Sequence, residues 1–142
     1  MEQPEFLPLK KRVKAFTLVE LLVVLMIIGI LVLITLPNLL PLVTKSKTTE
    51  AKLQLQHVQM LERSYFYEFS KYSGDLGELG YIQEKLSSEG KDGHANYRIE
   101  IVNSSASGFL AKATSVVDFN GDGKFNVWEI DQDKNLKEVT PD

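Results

Sequence analysis

From Phe16 to Leu36 the chain reads FTLVELLVVLMIIGILVLITL, 21 residues with a single ionisable group, Glu20. As a helix this run is roughly 31 Å long at ~1.5 Å per residue, the thickness of a bilayer's hydrocarbon core. A stretch that is apolar on every side has no place on the surface of a soluble domain. It therefore predicts a membrane helix, with the rest of the chain folding separately from it. The overall composition conceals this, because 44% hydrophobic and 25% charged residues are ordinary soluble averages. A cleaved secretory signal has a shorter apolar core, about 7–15 residues, and ends in small residues. Here the run ends in Leu36-Pro37-Asn38-Leu39-Leu40-Pro41, so ordinary secretory cleavage after it is not expected.

Charge is segregated along the chain. Residues 1–15 carry Lys10, Lys11, Arg12 and Lys14 against Glu2 and Glu5, a sum of +2, and the remaining residues carry −5. Pro4 and Pro8 disfavour an early helix. A short basic segment before a long apolar run predicts an N-terminus that stays in the cytoplasm; the bland alternative is a solvated tail. The 16 basic residues against 19 acidic ones do not suggest a nucleic-acid partner. The absence of cysteine excludes disulfides, thiolate metal sites and thiol nucleophiles.

Glu20 is the odd residue of the run. A carboxylate inside a membrane helix costs about 2.5–3.5 kcal/mol at mid-helix and less near an end, so it defaults to a functional role. The alternative is a side chain that snorkels to the interface. The segment Lys14-Ala15-Phe16-Thr17-Leu18-Val19-Glu20 with its apolar run resembles the prepilin signature of type IV pilins and type II secretion pseudopilins. The resemblance implies cleavage by a prepilin peptidase between Ala15 and Phe16 and N-methylation of Phe16, with alanine standing where the family usually has glycine. It implies that Glu20 pairs with the terminal amine of a neighbouring subunit during assembly. Physics agrees with an acid in the first helical turn, where it complements the macrodipole. Gly29 and Pro37 match the family's helix-weakening positions, which makes 29–37 the conformationally soft part of the stem. Further implied partners are a helical homo-oligomer, membrane lipid, the inner-membrane assembly platform and minor pilins or pseudopilins.

After Pro41, Ala51, Leu55, Val58, Leu61, Tyr65 and Phe69 recur every three or four residues, the pattern of a helix burying one stripe. Leu53, Met60 and Tyr67 fall outside it. The expected fold class is α+β: a long helical stem over about residues 16–70, with a small antiparallel β-sheet head packed on its upper half. The expected division is a leader at 1–15, a membrane and assembly segment at 16–36, an amphipathic upper stem at 37–70, a connecting αβ-loop at 71–96 and a β head at 97–142. Leu76, Leu79, Ile82 and Leu86 are expected to pin the loop. Strands are expected at 97–101, 109–117, 127–130 and 136–139. His57 and His94 have no partners that suggest catalysis and read as structural or solvated.

Asp118 to Glu129 has the spacing of a 12-residue calcium loop. Asp118, Asn120 and Asp122 offer side-chain oxygens, Lys124 its carbonyl, Asn126 a direct or water-bridged contact, and Glu129 the bidentate slot. The flanks look like strands rather than EF-hand helices, and there Glu129 points away from Trp128 and Ile130. A solvated Asn/Gly-rich turn is the other reading. Calcium sites in the β region also occur among major pseudopilins. A head of about 70 residues without cysteine is of a size that commonly needs a metal staple, so structural Ca²⁺ is expected.

The leading expectation is thus a structural filament subunit, stored as a single-pass bacterial inner-membrane protein with its N-terminus cytoplasmic and its head periplasmic. It would then enter a periplasmic or cell-surface filament. The competitor is a single-pass, membrane-anchored calcium-binding protein that does not polymerise. The short head, the missing disulfide and the calcium-like loop lean toward a major pseudopilin over a pilus subunit. No G-x-S-x-G, P-loop or nucleotide fingerprint suggests an enzyme.

Overall fold

The computed structural model describes residues 15–142, so all of the basic leader except Ala15 lies outside the described residues. One helix, α1, spans Leu18–Phe69. It is followed by the strands β1 (Tyr97–Ser104), β2 (Phe109–Ser115), β3 (Val127–Asp131) and β4 (Leu136–Thr140). They form one four-stranded antiparallel sheet in the order β1-β2-β3-β4. The fold class is α+β, as the sequence pattern predicts. The chain divides into two compact units at Pro37.

In the first unit every side chain from Ala15 to Pro37 is exposed. An 18-residue window of this helix reaches a mean hydropathy of 3.0, with none of it buried within the protein. It is long and apolar enough to cross a membrane. The helix runs unbroken through Pro37 and Pro41, although proline at 37 has no N–H to give the Leu33 carbonyl. A Cβ placed on Gly29 would meet nothing within 4 Å, so no packing in this chain requires glycine there.

The second unit contains the packed core. Ala51, Leu55 and Val58 on α1 are completely buried against Tyr97, Ile99, Ala111, Ala113 and Ile130 of the sheet. The alternation of β2 puts Phe109, Ala111 and Ala113 inward, and the small Ala51, Ala111 and Ala113 leave room for the larger Tyr97 and Leu55. Fully burying a leucine-sized side chain contributes about 1.5–3 kcal/mol, so this one stripe is what holds helix to sheet. The buried line then rotates away from the expected one. Glu62 is fully buried, Phe66 stacks on Tyr72 with ring centroids 4.8 Å apart, and Phe69, expected inside, is 50% exposed.

Two polar latches tie α1 to the connecting loop. Both carboxylate oxygens of Glu50 accept from Asn96, one from its backbone N–H and one from its side-chain amide, each at 2.7 Å. Glu62 accepts the Ser73 N–H at 2.9 Å and so closes the turn after the helix. Between them the loop is pinned by Leu79, Tyr81 and Leu86, all buried, with Leu76 partly so. Ile82 is the exception to the expectation: it points outward and Tyr81 is the anchor. The Tyr81 hydroxyl, pushed up to about 12 by burial and then by Glu84 and Glu50, stays protonated and donates to Gln54.

The sheet differs from the expected strands mainly at its ends. β1 continues through Asn103 to Ser104, because a register shift between Ile101 and Asn103 absorbs one residue without ending the pairing. β2 stops at Ser115, whose hydroxyl turns back to the Val117 backbone. The β3–β4 connection is tied by Asp131, which accepts from the N–H groups of Asp133 and Asn135, and Lys134 takes a left-handed φ of 64°.

Candidate functional site

Two places bear on function, one in each unit. At the N-terminus Ala15, Phe16 and Thr17 precede the helix, and Phe16 is 84% exposed. Thr17 caps α1: its hydroxyl accepts the Glu20 N–H at 3.2 Å, while Glu20 Oε2 accepts the Thr17 N–H at 2.8 Å and its hydroxyl at 3.0 Å. This reciprocal capping box satisfies two helix-end donors and holds Glu20 in the first turn of the helix. The Ala15–Phe16 bond thus lies in exposed, non-helical chain just ahead of a fixed helix start. That is the condition a protease needs for access to a backbone. Gly29 and Pro37 are exposed positions further along the same unit.

The second place is the loop between β2 and β3. Gly121 and Gly123 adopt φ of +80° and +85°, conformations open to glycine, and these let the backbone curl around Asp118. The two carboxylate oxygens of Asp118 accept the N–H groups of Gly121 at 2.6 Å and Gly123 at 2.7 Å. Those donors, Gly123 first, hold its carboxyl below the usual range. Asn120 accepts from Asp122 N–H and Asp122 from Lys124 N–H, each at 2.8 Å. Asp142 folds back onto the loop and accepts the N–H groups of Phe119 and Asn120 at 2.9 and 3.1 Å. The result is a cluster of Asp118, Asp122 and Asp142 with one carboxylate oxygen from each within 4.8 Å of the others. None of the three makes an ion pair among the described residues.

This cluster is not the set that sequence spacing suggests. Asn126 is completely buried and its side chain is fully used: it accepts the Tyr97 hydroxyl at 2.8 Å and donates to Glu138 at 2.6 Å and to the Thr140 carbonyl at 3.0 Å. Glu129 sits within β3, opposite Lys112 and Lys137 in the register, 3.9 Å from the Lys137 ammonium and outside the acidic cluster. Asn126, just ahead of β3, is held in that buried network, and Glu129 lies within β3. The third carboxylate of the cluster is Asp142, which the spacing gives no reason to include.

Residues 10–36 match the family model described as the prokaryotic N-terminal methylation motif. Over 74 residues, 52% of this chain, the sequence is 39% identical to the type IV major pilin protein PilA of Myxococcus xanthus (strain DK1622). The chain thus carries the methylation motif and is similar to a type IV pilin protein over about half of its length. It spans about a third of the length of that curated relative, 34%. In this chain the matched motif takes in Ala15, Phe16, Glu20 and Gly29, stops one residue short of Pro37, and leaves the acidic loop outside.

Proposed function

We propose that this chain is a type IV pilin-like subunit of a helical, pilus-like filament, stored in the bacterial inner membrane by residues 16–36 and assembled through its N-terminal helix. The observation that carries the proposal is the methylation motif lying on a helix that is exposed and apolar all round and holds one carboxylate. Such a surface needs lipid before assembly and the helices of other copies after it. In this reading the basic leader stays cytoplasmic and the head is periplasmic. Prepilin peptidase cuts between Ala15 and Phe16 and methylates Phe16, and the assembly platform with its minor pilins or pseudopilins adds the subunit to the filament.

Glu20 supplies the register. Among the described residues its carboxylate bonds only to Thr17 of its own helix start. The cut creates a cationic amine on Phe16, and the amine of a neighbour is a stronger partner than a neutral hydroxyl. In lipid an unmet carboxylate is costly, so the pairing drives assembly.

The head carries a calcium site in the same reading. Oxygens bound to Ca²⁺ at about 2.3–2.6 Å lie no more than about 5 Å apart, and the Asp118, Asp122 and Asp142 oxygens meet that limit. When bound, the ion offsets two of the three negative charges and fastens Asp142 to the β2–β3 loop.

Mass spectrometry of the mature protein tests the proposal. The expected N-terminus is methylated Phe16, in filaments visible by electron microscopy; an uncut, unpolymerised chain beginning at Met1 overturns it. Scoring surface filaments against exoprotein release in a deletion strain separates pilus from secretion pseudopilus.

A further inference from the structure

Ile82 is 85% exposed, and no large apolar side chain among the described residues is more so. It is nevertheless held firmly. Tyr81 before it is buried, with its hydroxyl 3.0 Å from Gln54 and its ring 5.9 Å from His57. Gln83 after it is fixed to the edge of β1, accepting the Ile99 N–H at 3.0 Å and donating to the Tyr97 carbonyl at 3.1 Å. A flexible loop tip would hide its isoleucine; this one is presented in a single position between two anchored neighbours. The ordering cost of a contact is already met.

The same unit carries a groove of about 550 Å³ between α1 and the β3–β4 turn. Its walls include Leu53 and Met60, 61% and 60% exposed, its floor is Ile130, and Lys134 stands at the rim. His57 lines the groove as well, and its ring lies 5.9 Å from that of Tyr81, so knob and groove are neighbours on α1. Ile82 nevertheless points away from its own chain, 85% exposed, and leaves the groove open. The charges match as well. From Ser73 to Glu84 the segment bears Asp75, Glu78 and Glu84 with no basic residue. Lys134 makes no ion pair among the described residues, and its backbone is set by the turn.

We propose that Ile82 of one subunit inserts into the Leu53–Met60 groove of the next, with Glu84 meeting the neighbour's Lys134. A contact between two different surfaces of the same chain is heterologous, so it repeats from copy to copy and suits an open helical polymer. The proposal rests on the filament reading and adds to it a head-to-head contact independent of the N-terminal helix.

The chain has no cysteine, so a cysteine pair is a clean probe. Filaments of the Ile82→Cys, Met60→Cys double variant, oxidised intact, are expected to give a ladder of covalent dimers, trimers and longer species, and each single variant none. Filaments of the double variant that stay monomeric after oxidation overturn the contact, as does Met60→Cys cross-linking to a different protein. Should the cysteines block assembly, the charges decide. Lys134→Glu is expected to reduce filament yield and Glu84→Lys in the same chain to restore it; unchanged yield in Lys134→Glu, or no restoration, overturns the contact. A wild-type chain that forms no filaments overturns the filament reading itself, a result distinct from filaments that do not cross-link.

Discussion

The two stretches of α1 on either side of Pro37 use similar apolar residues to different ends. Up to Pro37 every side chain is exposed, and an apolar surface with no inward face demands a partner from outside the chain. Further along, the chain's own sheet covers Ala51, Leu55 and Val58 and leaves Leu53 and Met60 free. Each stretch holds a carboxylate that obeys the same division. Among the described residues Glu20 is exposed and bonded only to its own helix start, while Glu62 is sealed inside against Ser73. The surroundings of the helix, rather than its composition, decide whether a residue serves folding or assembly.

If that division is right, the largest effects come from breaking each side separately. Replacing Glu20 with valine is expected to abolish filament assembly while leaving a folded, membrane-held subunit; filament yield against membrane-bound protein measures it. Asn126→Ala is expected to do the reverse. It removes three hydrogen bonds from a completely buried network and leaves the Tyr97 hydroxyl without its acceptor, so urea unfolding should show a loss of about 3 kcal/mol. Calcium should not change that loss, since Asn126 is spent on Tyr97, Glu138 and Thr140.

These two residues also mark how far the sequence was legible. The apolar run, Glu20, the antiparallel strands and the buried Ala51–Leu55–Val58 stripe can be read from period and spacing, which are local. Asn126 and Glu129 fit a calcium spacing, yet where their side chains go depends on β3 beginning at Val127 and on Tyr97, 29 residues away. Asp142 reaches the loop only because β4 returns beside β3, a fact of tertiary pairing that no local pattern carries. Likewise Ile82 is the more apolar of two adjacent residues, yet Tyr81 is the one turned inward, its ring in the core cluster and its hydroxyl on Gln54.

A smaller effect is expected from calcium removal in the full chain in detergent. At an assumed ~1 mM calcium and Kd of ~0.1 mM, binding contributes roughly 1.4 kcal/mol, so EDTA should lower the Tm of the head by about 5 °C. Asp142→Asn should remove most of that EDTA response and Glu129→Gln none of it. A response that depends on Glu129 instead would restore the ligand set suggested by spacing and sink the one built on Asp142.

The smallest effect concerns Glu62, and its sign is fixed by burial. Desolvation raises its carboxyl above the ordinary 4.5, against the opposing pull of the Ser73 N–H, and its second oxygen has no hydrogen-bond partner among the described residues. The folded state thus holds this proton more tightly than the unfolded chain does. Stability should fall as pH rises from 4.5 through the raised value, and it should recover on acidification over the same window. Glu78 accepts the Ser73 hydroxyl and the Tyr65 hydroxyl nearby. Glu62→Gln keeps an acceptor for Ser73 and cannot ionise, so its stability should be flat where the wild type slopes. Urea unfolding of both proteins across that window, with EDTA present to silence the acidic loop, measures the difference. Equal slopes would mean that Glu62 is as well hydrated as Glu20 and that burial does not separate these two carboxylates.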